Sequence, residues 1–485
     1  MAENNTRVFL KGISVTSVFT VASSVLGLIY FSVMSRLLTK EDFGYFAAVT
    51  GIVAIVACFS DAGLGSAVVQ KKNATKDFIS TAFSLSFILG ASCMLIVACL
   101  APFIANLVAD DYLTKPLRLM SITLLLNSFA SVGNAQLYRN LKFTRIGTIS
   151  FTSNVLTTAI SIFMAYKGFG LYSMIAYVVL LPFFTVLLIY TTSVKIPKIK
   201  IDKSYIKGIV SFGGWLTLSG ILNKMSTLID RLVLPKLTSI KVLGAYTRPA
   251  SFVTNISGQI TDIFDKVLFP MLSKIQDDKE SARSIFYRAI ELLNSFMVIL
   301  AVLFFFNAEL IMSIFFGKEW TSLTYVLQIL SLTMIFQIDS QLADCFFRSL
   351  NLVKKGFYLR AFALIWTLTC VVLGSRYDII GIAVTLTFAN ITITILRIVV
   401  LGKNIQANYL SMLSCWLKAW KPAIIPIFVG GIFMLLPVSL VNQIICAVSM
   451  ALVVCIEFVL FPGFVGNEYK KLAEPLLTKI RFKIR

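Results

Sequence analysis

Residues 12–70 read GISVTSVFTVASSVLGLIYFSVMSRLLTKEDFGYFAAVTGIVAIVACFSDAGLGSAVVQ. Two apolar runs are separated by one polar turn, RLLTKEDFG at 36–44. A helix needs roughly 20 mainly apolar residues to cross a hydrocarbon core about 30 Å thick. The run 12–37 carries no charge before Arg36, and the run 43–70 holds a single acid, Asp61. Both are long enough to span, so the stretch reads as two membrane helices joined by a tight turn.

Outward from this pair the same alternation continues along all 485 residues. Further apolar runs lie at 78–108, 115–138, 146–167, 169–193, 207–235, 240–272, 284–316, 321–349, 357–376, 378–401, 418–440 and 442–465. The reading is an all-α polytopic membrane protein with about 14 transmembrane helices. Composition agrees: 58% of residues are hydrophobic, 14% are charged, and mean hydropathy is +0.86. Soluble domains carry about 25% charged residues, so one large soluble core is excluded. The longest connections are 193–207, 273–283, 402–417 and the tail after 466, none long enough to house an active site. An enzyme is therefore not expected. The N-terminal MAENNTRVFLKG lacks a small-residue cleavage site and reads as part of a retained first helix.

The net charge of +21 invites a nucleic-acid reading, but the placement of the cations argues for topology instead. Thirty of the 44 Lys and Arg fall on one set of alternate loops, including QKKNATK, YRNLKFTR, KIPKIKIDKSYIK and the tail KIRFKIR. The other set holds nine, Arg36, Lys40, Lys115, Arg118, Lys167, Lys236, Lys241, Lys318 and Arg376. By the positive-inside rule both termini are cytoplasmic. The eight cysteines form no CxxC pair, so neither a disulfide framework nor a zinc site is indicated. Histidine is absent, which leaves any proton coupling to carboxylates.

The chain also repeats itself. RLLTKEDFGYF at 36–46 resembles PKLTSIKVLGAY at 235–246, with Gly44 and Gly244 200 positions apart. SDAGLGSAVVQKK places Asp61 where TDIFDKVLFPMLSK places Asp262, and LYRNLKF (Arg139) matches FFRSLNL (Arg348). The domains expected are a six-helix bundle at 1–192, a basic cytoplasmic linker at 193–206, a second six-helix bundle at 207–402, and helices 13–14 with a basic tail at 403–485. Six is even, so the two copies run parallel and flank a central cavity in the manner of many transporters.

A charge inside a span costs on the order of 2.5–3.5 kcal/mol and needs a reason. The first half holds Asp61; the second holds Lys224, Asp230, Arg231, Arg248, Asp262, Asp265, Lys266, Asp339, Asp344 and Arg348. Asp262, Asp265 and Lys266 share one helical face, and Asp344 with Arg348 is an i, i+4 pair. Two explanations stand. Gate or structural ion pairs would account for Lys266, Asp339, Asp344, Arg348 and Arg139. A hydrophilic cavity would account for the rest, with Lys224, Arg231 and Arg248 attracting an anionic headgroup. Asp61, Asp230, Asp262 and Asp265 would then line the cavity or couple an ion. Glu457 is expected to pair with another helix and Arg397 to snorkel to the interface.

The stretch from Gly12 to Gln70 resembles the polysaccharide-transport branch of the multidrug/oligosaccharidyl-lipid/polysaccharide flippase superfamily. The likeness is strongest to oligosaccharide flippases of the Wzx type, and within them to colanic-acid exporter-like proteins. It extends over the whole chain in helix count, repeat and loop lengths. The resemblance implies a bacterial inner-membrane transporter of lipopolysaccharide or O-antigen type. Undecaprenyl-diphosphate-linked oligosaccharides would move from the cytoplasmic to the periplasmic leaflet through a V-shaped cavity lined by helices 1, 2, 7 and 8. It implies an H+ or Na+ gradient as the drive and no cofactor. Partners would be membrane lipids, the lipid-linked substrate, and candidate polymerase and glycosyltransferases, with no nucleic acid.

Three rivals remain. A drug/cation antiporter of the same superfamily would favour acidic and aromatic cavity residues over Lys224, Arg231 and Arg248. A lipid II flippase is compatible with helices 13 and 14. An integral-membrane polysaccharide polymerase would need a larger outward loop than YKGFG, GKEW or SRYD.

Overall fold

The computed structural model describes residues 2–61, 64–70, 75–108, 111–140, 142–273, 275–276, 278–437, 439–460, 462–466 and 469. Every regular element among them is helical. Hydrocarbon cannot hydrogen-bond a peptide group, so a spanning chain that is not a closed barrel must be helical. Ten candidate membrane spans occur among the described residues, including Lys40–Ser60, Lys76–Val108, Leu171–Thr192, Lys279–Phe306 and Leu440–Val459. One of the ten, Val353–Asn404, is a hairpin of two helices. The protein is a multi-pass membrane protein.

The chain divides into two compact units, Met1–Ala245 and Tyr246–Arg485. The first holds α1 (Ala2–Leu37), α2 (Lys40–Asp61), α3 (Leu64–Gln70), α4 (Lys76–Val108), α5 (Thr114–Arg139), α6 (Phe143–Tyr166), α7 (Leu171–Thr192), α8 (Lys203–Leu237) and the first turn of α9 (Ile240–Ser273). The second holds the rest of α9, then α10 (Lys279–Phe306), α11 (Ala308–Ile311), α12 (Thr324–Ser349), α13 (Val353–Gly374), α14 (Asp378–Asn404), α15 (Tyr409–Lys418), α16 (Ile424–Met434), α17 (Leu440–Leu460) and α18 (Pro462–Val465). The division falls beyond the 193–206 linker because α8 packs on α2 inside the first unit. There the Arg231 side-chain stem runs past Gly51, where a Cβ would stand 3.1 Å from Arg231 Cβ.

Packing in the first unit depends on polar turns at helix ends and small residues between helices. Thr39 and Asp42 form a reciprocal cap at the start of α2. The Asp42 amide donates to Thr39 Oγ1 at 3.1 Å, and Asp42 Oδ2 accepts from the Thr39 amide at 3.0 Å and hydroxyl at 2.8 Å. Asp42 Oδ1 also accepts from the Leu171 amide at 3.0 Å, so one carboxylate serves the N-termini of α2 and α7. In the second copy of the motif Ser239 keeps the cap, accepting from the Val242 amide at 3.3 Å, while Val242 stands where the first copy has the acid. The two motif glycines face each other's backbone. A Cβ on Gly44 would meet Ile240 O at 1.9 Å, and one on Gly244 would meet Lys40 O at 1.8 Å. The sequence repeat is therefore a reciprocal packing contact in which each copy's glycine admits the other's main chain.

In the second unit Asp278 caps α10, its Oδ1 accepting from the amides of Glu280 and Ser281, each at 3.0 Å. Hydrogen bonding from Ser281 holds the Asp278 carboxyl below the usual range. A π-helical turn, Met312–Phe316, follows α11 and lets Phe316 pack edge-on to Phe252 at 5.4 Å. The thirteenth span begins earlier than the sequence reading placed it, at Tyr409 and not at 418, and ends at Met434. Pro422 lacks an amide proton, and the turn Lys421–Ala423 breaks the span between α15 and α16 without ending it. Lys418 and Lys421, at the start of the run 418–440 in the sequence, thus fall near the middle of this candidate span.

Gly44→Ala should destabilise the purified protein by about 1–3 kcal/mol, since the backbone of Ile240 cannot withdraw without cost. Gly27→Ala, with nothing within 4 Å of its Cβ position, should be neutral or stabilising. Thermal unfolding in one detergent separates the two; equal melting temperatures would refute the packing role of Gly44.

Candidate functional site

The helix-borne charges singled out in the sequence fall into two groups, one in each unit. In the first unit, α8 presents Lys224, exposed, with Asp230 and Arg231 half-buried. The Asp230 carboxylate accepts from the Arg231 amide at 2.9 Å. Arg139, at the end of α5, donates through Nη1 to the Val68 carbonyl at 3.2 Å, which ties α5 to α3. The side chains of Asp61, Asp262 and Lys266 lie outside the described residues.

In the second unit Arg248 is half-buried on α9, and the remaining charges gather near the ends of α9, α12, α13 and α14. Arg348 on α12 forks onto Asp265 on α9, with Nη2 at 2.7 Å from Oδ1 and 2.9 Å from Oδ2. Its guanidinium also lies 5.5 Å from the Phe269 ring centroid, one turn along α9. A single nitrogen is thus shared between the two carboxylate oxygens, which is weaker than two parallel bonds from two nitrogens. Both side chains are substantially exposed, 46% and 37%, so the pair contributes about 0–1 kcal/mol.

Asp344 differs in every respect. Its Oδ2 pairs with Arg397 Nη1 at 3.0 Å, and its Oδ1 with Arg360 Nη2 at 3.5 Å. Arg397 Nη1 also donates to Ser340 Oγ at 2.6 Å. Both arginines are only 8% exposed. One carboxylate thus holds two buried guanidiniums and joins α12, α13 and α14. The i, i+4 pairing expected between Asp344 and Arg348 does not form: Arg348 Nε donates instead to the Asp344 main-chain carbonyl at 3.3 Å. Arg397 does not reach outward as a snorkelling side chain would: it is buried against Asp344 and Ser340.

Asp339, one turn and more from Asp344, is 2% exposed and makes no ion pair among the described residues. Asn294 Nδ2 on α10 donates to its Oδ1 at 2.7 Å, and the Trp416 side chain on α15 hydrogen-bonds it as well. Asp339 therefore joins three helices as a buried polar node. Glu457 on α17 is 3% exposed, and neither carboxylate oxygen has a hydrogen-bond partner among the described residues, so the expected interhelical pairing is absent. No cluster of three or more His, Cys, Asp or Glu suited to a metal occurs among the described residues.

The model of one protein family, described as "Polysaccharide biosynthesis protein", matches residues 33–325, more than half of the chain. The chain belongs to this family. It is 25% identical over 421 residues to the lipopolysaccharide biosynthesis protein WzxC of Escherichia coli K12, covering 84% of each chain. It is 22% identical to the succinoglycan biosynthesis transport protein ExoT of Rhizobium meliloti, over 62% of this chain and 61% of that one. Among solved structures, the inward closed conformation of the lipid II flippase MurJ superposes with a TM-score of 0.72 at 16% identity, covering 91% of this chain and 98% of that one. The family and its relatives place this chain among membrane transporters of polysaccharide biosynthesis, which the Gly12–Gln70 resemblance had implied.

Arg360, Ser340, Asn294 and Trp416 were missed by sequence reading. Arg360 sits in the first turns of α13, close enough to Lys354 and Lys355 to pass as a loop cation. The neutral members carry no charge to mark them. Asp344→Asn should cost about 3–5 kcal/mol, because two buried guanidiniums lose their counter-charge. Asp265→Asn should cost no more than about 1 kcal/mol. Thermal unfolding of the two variants checks the ranking; a larger loss for Asp265→Asn would reverse it.

Proposed function

We propose that the protein is a flippase, not an enzyme, that moves an undecaprenyl-diphosphate-linked oligosaccharide repeat unit from the cytoplasmic to the periplasmic leaflet of a bacterial inner membrane. The observation that carries this reading is family membership across residues 33–325 combined with cations embedded on long, less apolar helices. Beyond the ten candidate spans, α5, α8 and α9 are less apolar but, at 26, 35 and 34 residues, long enough to cross. With α13 and α14 taken separately, the passes come to fourteen, and both termini lie on the cytoplasmic side by the Lys and Arg bias.

A diphosphate needs fixed cations in a low-dielectric site, while sugars need hydrogen bonds and a prenyl tail can remain in lipid. Lys224, Arg231 and Arg248 are the cations assigned to that need, Lys224 exposed and Arg231 and Arg248 half-buried on α8 and α9. Alternating access between two parallel six-helix copies, driven by H+ or Na+ taken up on Asp61, Asp230 or Asp262, completes the mechanism. The fold likeness to a lipid II flippase favours a second reading in which the cargo is a lipid-linked peptidoglycan precursor. Both cargoes share the diphosphate and differ in the sugar.

A deletion strain should lose surface polysaccharide and accumulate lipid-linked repeat units on the cytoplasmic face. The triple variant Lys224→Ala, Arg231→Ala, Arg248→Ala should fail to restore export while reaching the membrane at normal levels. Normal polysaccharide with arrested peptidoglycan synthesis would select the second reading. Export sustained by the triple variant would remove the headgroup assignment.

A further inference from the structure

The segment between α7 and α8 has properties that topology alone does not demand. It reads Val194-Lys-Ile-Pro-Lys-Ile-Lys-Ile-Asp202 and has no regular secondary structure. It is nonetheless fastened at both ends. At the near end the amides of Ser193 and Val194 both donate to the Ile189 carbonyl at 3.0 Å. At the far end the hydroxyl of Ser84 on α4 accepts from the Lys200 amide at 2.9 Å and shares its proton between the Ser80 carbonyl at 2.9 Å and the Lys200 carbonyl at 3.2 Å. Thr81 Oγ1, one turn earlier, accepts from the Asp202 amide at 3.1 Å, and Lys200 Nζ pairs with Asp77 at 2.9 Å. Asp77, Thr81 and Ser84 share one face of α4, and Thr81 and Ser84 are fully buried beneath the strap.

What the strap turns outward is unusual for a fastened loop. Ile196, Ile199 and Ile201 are 65%, 73% and 46% exposed, and Lys195 and Lys198 are exposed between them. Water alone is a poor neighbour for three ordered isoleucines. Hydrocarbon alone is a poor neighbour for a non-helical backbone that satisfies only some of its amides, those of Val194, Lys200 and Asp202, internally. The headgroup layer satisfies both: aliphatic side chains enter the acyl boundary, while ammonium groups and amides meet lipid phosphates. The strap begins two residues after the span Leu171–Thr192 ends, and it is fastened to the first turns of the span Lys76–Val108, which puts it at that depth.

We infer that this strap is a docking surface for anionic phospholipid headgroups, with Ile196 and Ile199 inserted and Lys195 and Lys198 on the phosphates. Lys200 is occupied by Asp77 and contributes little. Each lysine near an anionic surface adds roughly fivefold to the partition, and so roughly 25-fold for two. The inference is independent of the proposed cargo and of which face is cytoplasmic.

Trypsin reads the strap directly, because it cuts after Lys195 and Lys198. The full-length protein is placed in nanodiscs of phosphatidylcholine alone, or of phosphatidylcholine mixed with phosphatidylglycerol, both of which expose both faces. Cleavage is mapped by mass spectrometry and normalised to a soluble trypsin substrate in the same sample. Cleavage should slow on the order of tenfold in the anionic discs and recover at high salt. Ile196→Ser with Ile199→Ser keeps both cleavage sites and should lose most of that protection. Thr81→Val with Ser84→Ala should release the strap and lose it as well. Equal rates in the two lipids, protection that survives high salt, or full protection of the serine variant would each overturn the inference.

Discussion

Hydrocarbon offers no hydrogen bonds, and most of this structure follows from that absence. Backbone groups are satisfied inside helices, and buried hydroxyls largely return to their own helix. Ser35 donates to the Phe31 carbonyl, Ser84 to Ser80, Ser257 to Val253, Ser349 to Cys345 and Thr387 to Ala383, each four residues back. Such side chains cost little in lipid and leave helix surfaces small, so neighbouring backbones approach closely. The mutual contact of Gly44 and Gly244 is the extreme case, because each copy of the repeat leaves out a side chain where the other's carbonyl must fit.

Charges cannot be absorbed that way, and the protein treats them in two manners. Asp344 is enclosed with Arg360 and Arg397 and fixes three helices of the second unit. Removing either sign would strand the other in a low dielectric, so this junction holds. The Arg348 and Asp265 fork is open to water, gains little from pairing, and loses little when parted. Similar donor geometry therefore serves a permanent joint at one place and a readily broken one at another. Exposure decides which.

The helices were legible because apolar runs of spanning length recur between short basic loops, and the mutual contact of Gly44 and Gly244 joins two stretches whose likeness, 200 positions apart, was visible in the sequence. That Asp344 and Asp339 would be costly inside a span was equally legible. Their partners were not. Pairing at i, i+4 is visible along one helix, but Arg360 and Arg397 reach Asp344 from two others, and Asn294 and Trp416 reach Asp339 with no charge to announce them. Sequence spacing reports which residues share a face; it does not report what that face meets. The thirteenth span illustrates a second limit, since Lys418 and Lys421 mark a boundary by charge where the chain has only a proline break.

The accounting of partners narrows which cations are fit to receive an anion. A guanidinium already held by a carboxylate must give up that pair before it binds a phosphate, and the gain is then only the difference between two strong interactions. Arg348, Arg360 and Arg397 are in that position. Lys224, by contrast, stands exposed on α8. The charge that sequence reading found concentrated in the second half thus splits by role. Most of the α12–α14 charge builds the bundle, and the headgroup recognition proposed above is assigned to cations of α8 and α9.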